Sequence, residues 1–507
     1  MAVAAPHEQD KGLKAGALGL LSSVVIGVSS TAPGYSIAAT IGFVAAVVGL
    51  QSPAVMLLAF VPMLCIAYAY RELNALDPDC GTTFAWAARA FGPRAGFMGG
   101  WGIVVADIVV MANLAQIAGQ YGFLLFDAPG LAASTFWTTV VGILWISVLT
   151  YVCYRGIEIS ARLQFGLLAV EVVALGAFAV VALVKVYSGN AGPGALHPSL
   201  SWFNPLEIPS FSALSAGVLL AVFIYWGWDT AVACNEETQD KQRTPGRAAI
   251  IATVALLGIY SLVTVACQAY GGLGTLTDEN NQGDVLAVLG DAVLGSTFGK
   301  VLILAVLTSA AASTQTTILP TARTTLSMAA HRAIPNSFAR MHPRFQTPTT
   351  STIAMGVASV TFYGGLVLVS GNVLADSIAS LGLLIAFYYA LTGYACAWHF
   401  RADLRRSVKD AWVKGVLPLL GAGILTLCFL KSAKDMYATD FGTTSFAGVG
   451  GVFLIGIGSL LLGLLVMVLC ELANPPFFRG GRLGTPAVDA PPQPTGSDTP
   501  LPTRSTP

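Results

Sequence analysis

The chain is a succession of apolar runs of about 20 residues, each bounded by short polar or charged clusters. A run of that length crosses the roughly 30 Å hydrocarbon layer of a bilayer as an α-helix, which satisfies every peptide N–H and C=O within itself where no water is present to do so. Runs at 16–46, 52–70, 95–125, 134–153, 160–185, 211–238, 247–271, 296–320, 350–370, 373–398, 415–430 and 446–470 predict an all-α membrane protein of about twelve spans. Only 10% of residues are charged and 55% are apolar, whereas a soluble domain carries about 25% charged residues, so most soluble enzymes are excluded. With a formal net charge of zero and no basic block, nucleic acid has no electrostatic footprint to bind. The eight cysteines lie mostly inside apolar runs without CxxC or Cys/His spacing, so neither a disulfide frame nor a metal site is expected, and no motif implies a cofactor.

Loop charge tests the span count, because basic loops alternate with neutral ones only when every span has been found. Of the 26 basic residues only Lys185, Lys300, Lys431 and Lys434 fall on the side opposite the N-terminus. Both termini are therefore expected in the cytoplasm of a multi-pass plasma (inner) membrane protein, with the 273–295 loop outside. The first run is too long for the apolar core of a signal peptide and is kept as a mature span. Residues 1–15 form a cytoplasmic N-terminal segment, and 474–507, rich in Pro, Ser, Thr and Gly, reads as a disordered cytoplasmic tail.

Two spans carry helix breakers at their centres. Ser29-Ser30-Thr31-Ala32-Pro33-Gly34 places a proline and a glycine in the first, and Phe223-Ile224-Tyr225-Trp226-Gly227-Trp228-Asp229 places a glycine and an acid in the sixth. Splitting the chain after the fifth span, into 16–185 and 211–398 with 415–470 as two extra helices, makes each half begin with an interrupted helix. A simple kink at Pro33 or close packing at Gly227 is the competing reading of either one alone; their matching positions point to an inverted-repeat secondary transporter with its substrate between the breaks. Ser30, Thr31, Ala32 and Gly34 from the first break and Phe223, Tyr225, Trp226 and Asp229 from the second are the candidate substrate-binding residues. N–H groups freed at a half-helix start suit a carboxylate, and freed carbonyls suit an ammonium group or Na⁺.

Three acids lie deep in the spans without a lysine or arginine at comparable depth. Asp107 is about 12 residues into the third span, roughly 18 Å along the helix, Glu171 is central in the fifth, and Asp229 follows the sixth-span break. An acid in lipid is costly to ionise alone, so each either stays protonated or meets a cation, which favours protons, Na⁺ or a cationic substrate group as partners. Asp107 joins the substrate candidates and Glu171 is the candidate coupling residue. Glu236 and Glu237, beside Lys241 and Arg243, are expected as a solvated cluster or gate element. Asn113, Gln116 and Gln120 share one stripe of the third helix, about 120° from Asp107, and suit interhelical hydrogen bonds. Ser309, Ser313 and Thr316 form a hydroxyl face on the eighth span, which suits ordinary helix packing.

Four blocks in order resemble the amino acid–polyamine–organocation permeases up to about residue 470. They are Arg71-Glu72-Leu73 with Asp77-Pro78-Asp79-Cys80-Gly81-Thr82-Thr83-Phe84; Phe91-Gly92-Pro93 with Gly100-Trp101; Trp226-Gly227-Trp228-Asp229 with Glu236-Glu237-Thr238; and Arg332-Ala333-Ile334-Pro335 with the stretch Phe338 to Pro348. The resemblance implies the five-plus-five fold with two extra helices, and transport of amino acids or amines coupled to protons, Na⁺ or exchange. It implies an aromatic gate at Phe223 and contact of the eighth-helix hydroxyl face with the broken first helix, with a coupling ion at Ser309 and Ser313. Two departures matter: Ala32-Pro33-Gly34 stands where many members have Gly-x-Gly, which weakens carboxylate capture, and Glu171, seven residues after Gln164, stands where some proton-coupled members have a lysine. A proton-coupled secondary transporter leads. A cationic amino acid or polyamine exchanger, and a non-transporting nutrient receptor or channel on the same fold, are the alternatives. A membrane enzyme is disfavoured because no metal motif, nucleotide loop or nucleophile elbow appears.

Overall fold

A computed structural model describes residues 11–192, 194–370, 372–473 and 475–479. The first ten residues of the expected N-terminal segment, and Asn474 and 480–507 of the expected disordered tail, lie outside the described residues. The first expected span is two helices, α1 (Leu20–Thr31) and α2 (Pro33–Val48), hinged at Ala32 with φ 46° and ψ 69°. Proline explains the hinge: it has no N–H, suits the first position of a helix, and drives the residue before it out of the α region. After α3 (Ser52–Leu76) come α4 (Thr83–Phe91), α5 (Pro93–Leu125), the single turn α6 (Pro129–Ala132), α7 (Thr135–Tyr154) and α8 (Ile157–Tyr187), which closes the first half.

The second half repeats the interruption. Helix α9 (Phe211–Tyr225) stops at Trp226, whose backbone is extended, and the chain passes through Gly227 at φ 123° before the single turn α10 (Thr230–Ala233). Helices α11 (Thr244–Thr277), α12 (Val285–Ala330), α13 (Thr349–Val369) and α14 (Val373–His399) complete it. A short α15 (Val408–Asp410) then leads through a π-helical stretch into α16 (Leu417–Met436), a two-stranded hairpin pairs Ser445–Phe446 with Val449–Gly450, and α17 (Gly451–Ala473) and α18 (Pro475–Arg479) follow.

Ten helical stretches among the described residues are long and apolar enough to cross a membrane. One of them, 20–76, contains both the interrupted first span and α3, and the shorter α9 adds the interrupted sixth, which together make the twelve expected crossings. Burial sorts them into core and rim. In the apolar stretches of α5 and α14, 83% and 78% of residues are buried, against 28% in α7 and α17, whose exposed Leu144, Leu461 and Leu465 suit lipid. Both interrupted helices run through the core.

Several expected boundaries shift. Helix α12 was expected to stop at 320, at Pro320, but continues to Ala330 and carries Arg323, expected in a loop, into the protein interior at 1% exposure. Pro320 cannot donate to the Thr316 carbonyl one turn back, and the Thr230 hydroxyl donates to that carbonyl instead, at 3.3 Å. The expected 273–295 loop is partly helical, holding the end of α11 and the first turns of α12, with non-helical backbone at Gly272 and Gly295. Residues 475–479, expected as the beginning of a disordered tail, form α18, because Phe477 stacks on Phe84 and Phe478 packs on Phe97. A compositional reading averages over these two aromatics.

Gly227 is a point of close backbone approach between the two breaks. A Cβ there would lie 2.7 Å from the carbonyl carbon and oxygen of Ser30, in a backbone conformation that L side chains rarely adopt. Gly227→Ala is therefore expected to lower the thermal unfolding midpoint of the detergent-purified protein, by a destabilisation of about 1–3 kcal/mol. Gly176→Ala, where a Cβ meets nothing within 4 Å, should leave it unchanged. Equal midpoints for the two variants would contradict this account of the contact.

Candidate substrate site

The two interruptions meet in the middle of the bundle. Ser30 Oγ and Thr230 Oγ1 lie 2.8 Å apart, joining the end of α1 to the start of α10, and Ser313 Oγ on α12 donates to the Ser30 carbonyl at 3.0 Å. Around this junction is a cavity lined by six of the expected substrate residues, Ser30, Thr31, Asp107, Phe223, Trp226 and Asp229, and by the expected coupling residue Ser313, together with Tyr35 and Ser36. It holds about 10 Å³, roughly the room one water needs, so side chains must move before anything larger is admitted. Phe223 meets Tyr35 edge to face at 6.3 Å between ring centres and forms part of that closure.

The cavity wall carries two acids and no lysine, arginine or histidine. Asp107 Oδ2 accepts a hydrogen bond from Thr321 Oγ1 at 2.5 Å, and Asp229 Oδ2 accepts one from the Tyr388 hydroxyl at 3.0 Å. The same Tyr388 hydroxyl accepts from the Trp226 indole N–H, so α14 fixes both second-break residues at once. From sequence Tyr388 and Tyr389 suit aromatic packing ahead of lining the path, and the two polar contacts of Tyr388 depend on which helices surround α14, which no local pattern reveals.

Three expected substrate residues lie elsewhere. Tyr225 turns away from the cavity and packs edge-on against Tyr260 at 5.0 Å, with Phe60 beside it. Ala32 is the hinge itself and is fully buried. Gly34 faces α8, where its N–H donates to Glu171 Oε1 at 2.6 Å. That oxygen also accepts from Ser309 Oγ at 2.8 Å, and Ser309 Oγ accepts in turn from the Tyr35 N–H at 3.1 Å. The N–H groups at Gly34 and Tyr35, expected to be available to a substrate carboxylate, are therefore already bonded to side chains of the protein. Glu171 Oε2 is buried and has no hydrogen-bond partner among the protein atoms. Ser309 and Ser313 reach the broken helix, whereas Thr316 turns back to the carbonyls of its own helix. Asn113 spans helices, accepting from the Tyr35 hydroxyl and donating to Ser377 Oγ and the Leu374 carbonyl, and Gln116 accepts from Tyr363.

Beyond the cavity, where the Lys11–Leu18 segment packs, lies a buried ionic layer. Arg323 grips Glu237 through two hydrogen bonds of 2.6 and 2.9 Å; Glu237 is fully buried, which corrects the expectation of a solvated cluster. Removing either partner would strand the other charge, at a cost of about 3–5 kcal/mol. The N-terminal segment is bound to the same layer: Leu18 exchanges backbone hydrogen bonds with Glu237 and Gln239, and Lys11 Nζ lies 2.5 Å from Glu236 Oε1 and 3.1 Å from Asp79 Oδ2. Burial pushes the Asp79 carboxyl up, but Lys11 and His331 beside it outweigh that and hold it well below the usual carboxylate range. Burial likewise works against the Lys11 charge, while Asp79, Cys80 and Glu236 hold its ammonium above the ordinary lysine range. Asp79, Cys80 and Glu236 have metal-ligand spacing, and the Lys11 ammonium sits among them as their cation.

Comparison with known proteins agrees with the architecture. A profile of the amino acid permease family matches residues 18–434. An uncharacterized transporter of Mycobacterium tuberculosis is 29% identical over 425 residues, covering 83% of this chain and 87% of the relative. A branched-chain amino acid permease of Lactococcus lactis is 24% identical over 416 residues, 77% of this chain and 82% of the relative. A low-affinity putrescine importer of Escherichia coli is 22% identical over 412 residues, 80% of this chain and 86% of the relative. Matched along this much of its length, the chain belongs to the amino acid permease family, and so to the amino acid–polyamine–organocation permeases.

Proposed function

We propose that the protein is a secondary active transporter that moves amino acids or related amines across the plasma membrane by alternating access, coupled to protons, with both termini in the cytoplasm. The observation that carries this reading is the meeting of two interrupted helices at a closed, acid-lined cavity beneath a buried ionic layer. Transport requires such a layer to open on one side while the cavity closes to the other. Relatives described as a branched-chain amino acid permease and a putrescine importer support the substrate range, since both cargoes carry an ammonium group. A channel reading is disfavoured by a cavity with room for about one water, because conduction needs a continuous path. A receptor reading predicts binding without flux.

Substrate binding falls to Ser30 and Thr31 of the first break, Phe223 and Trp226 as closing aromatics, and Asp107 and Asp229 as the ammonium partners. Coupling falls to Glu171. Its Oε1 is held by Gly34 and Ser309, which fixes the group at the hinge of α1 and α2, while the buried Oε2 lacks a donor and is the atom on which a proton binds. Protonation there alters the charge that faces the positive end of α2, and so reaches the hinge directly.

In proteoliposomes the protein should show saturable, gradient-driven uptake and counterflow of an amino acid or amine. Glu171→Gln preserves the shape and the Oε1 contacts but cannot titrate, so uptake driven by a pH gradient should fall about tenfold or more while exchange persists. Undiminished proton-driven accumulation by that variant would remove Glu171 from coupling, and binding without any flux by the unaltered protein would favour the receptor. For orientation, Asn280→Cys, on the exposed segment between α11 and α12, should react with an impermeant thiol reagent only from outside the cell. Reaction only from the cytoplasmic side would invert the topology.

A further inference from the structure

The start of α2 is where a broken helix would receive a carboxylate, and each of its donors is already assigned. Pro33 has no N–H, the Gly34 N–H donates to Glu171 Oε1 at 2.6 Å, the Tyr35 N–H to Ser309 Oγ at 3.1 Å, and the Ser36 N–H to the Ala32 carbonyl at 2.8 Å. The N–H of Ala32, just before the helix, donates to the Ser29 carbonyl. A side-chain carboxylate of the protein thus occupies the anion position at the positive end of a 16-residue helix. At the second break, α10 is a single turn whose first N–H groups bond to the Gly227 and Trp228 carbonyls, so it offers no replacement. Every other charge around the cavity favours a cation: Asp107 and Asp229 line it, and both α1 and α9 end at it with their negative poles.

We infer that Glu171 is a built-in carboxylate that fills the place of a substrate carboxylate, so that the cargo is an amine lacking an α-carboxylate, a primary monoamine or diamine, in preference to the corresponding amino acid. The inference rests on the transport reading above and narrows its substrate class. An α-amino acid entering this cavity would bring a carboxylate beside Asp107 and Asp229 with no backbone N–H at the start of α2 left to receive it, and a buried carboxylate short of donors is strongly disfavoured. The corresponding amine has the same side chain and ammonium group without that cost. Two relatives of similar identity carry cargoes of the two kinds, one named for branched-chain amino acids and one for putrescine, so overall similarity does not decide the class, whereas the occupancy of these donors does.

The test compares amino acids with the amines they give on loss of the carboxylate, ornithine with putrescine, lysine with cadaverine and leucine with isoamylamine, binding to the full-length protein in nanodiscs. The unaltered protein should bind at least one amine about tenfold or more tighter than its parent amino acid. Glu171→Gln still offers an oxygen to Gly34 and should keep that preference, whereas Glu171→Ala vacates the donors and should narrow or reverse it. Binding is the readout, so loss of proton coupling in Glu171→Gln does not affect the result. Equal or tighter binding of the amino acid in every pair by the unaltered protein, or the same preference in the Gln and Ala variants, would overturn the inference. Binding of none of the six compounds would overturn it together with the transport reading, whereas tight amine binding with unimpaired proton-driven uptake by Glu171→Gln would support it and remove only the coupling role. A folding defect in Glu171→Ala would appear as a lowered unfolding midpoint. In that event Ser309→Ala, which frees the Tyr35 N–H alone, serves the same comparison with a smaller expected shift.

Discussion

A backbone that breaks inside a membrane must have its freed N–H and C=O groups satisfied by the protein, because lipid cannot do so. In this permease that requirement is met by side chains of surrounding helices: Glu171 and Ser309 for the start of α2, Ser313 for the Ser30 carbonyl, Ser36 and Tyr260 for the Thr31 carbonyl, and Thr230 for the carbonyl that Pro320 leaves open. Apart from Ser36 these groups come from distant parts of the chain, so the hinge at Ala32 is tied to α8, α11 and α12, and through the Ser30–Thr230 contact to the second break. A change at any of them is transmitted to the others through a hydrogen bond that has no alternative partner in lipid. That makes the hinge a natural place to couple an ion to a conformational change.

The same constraint sets the charge of the site. Helix ends pointing into the break bring their own dipoles, and the protein answers the positive one with Glu171 while leaving the two negative ones, with Asp107 and Asp229, to face the cavity. Charge of the opposite sign is kept to the ionic layer, where Arg323 and Lys11 are paired with Glu237, Asp79 and Glu236. The cavity and the layer are thus electrostatically distinct although only a few turns of α12 separate Ser313 from Arg323.

Much of this organisation was legible in the sequence. The runs of about 20 apolar residues fixed the spans, and Pro33 and Gly227 marked the breaks because proline and glycine act on the local backbone wherever they occur. The acids stood out because a charge in an apolar run is rare enough to need a reason. Harder to read was anything set by which helices are neighbours. Tyr225 and Tyr388 are both tyrosines on helices next to the site, yet only Tyr388 reaches it, and helical periodicity on one chain segment cannot say what faces that segment. Arg323 reads as a loop residue because the apolar run ends at 320; the helix continues past Pro320, whose missing hydrogen bond is replaced from Thr230, 90 positions away. The donors at Gly34 and Tyr35 were expected to be open because the sequence shows that a break frees N–H groups but not that Glu171 and Ser309 approach them.

The central claim is that substrate occupies the space between the two breaks. Val110 on α5 lines that space without a polar role, and the native cysteines are buried apart from the half-buried Cys470, so the unaltered protein serves as the blank for alkylation of a Val110→Cys variant. The measurement is the alkylation rate of that cysteine by a small cationic thiol reagent, with and without a saturating concentration of a transported substrate. The account predicts that substrate slows the reaction, with a half-protecting concentration equal to the one that half-saturates uptake. A rate unaffected by substrate, in a variant that still transports, would place the binding site elsewhere.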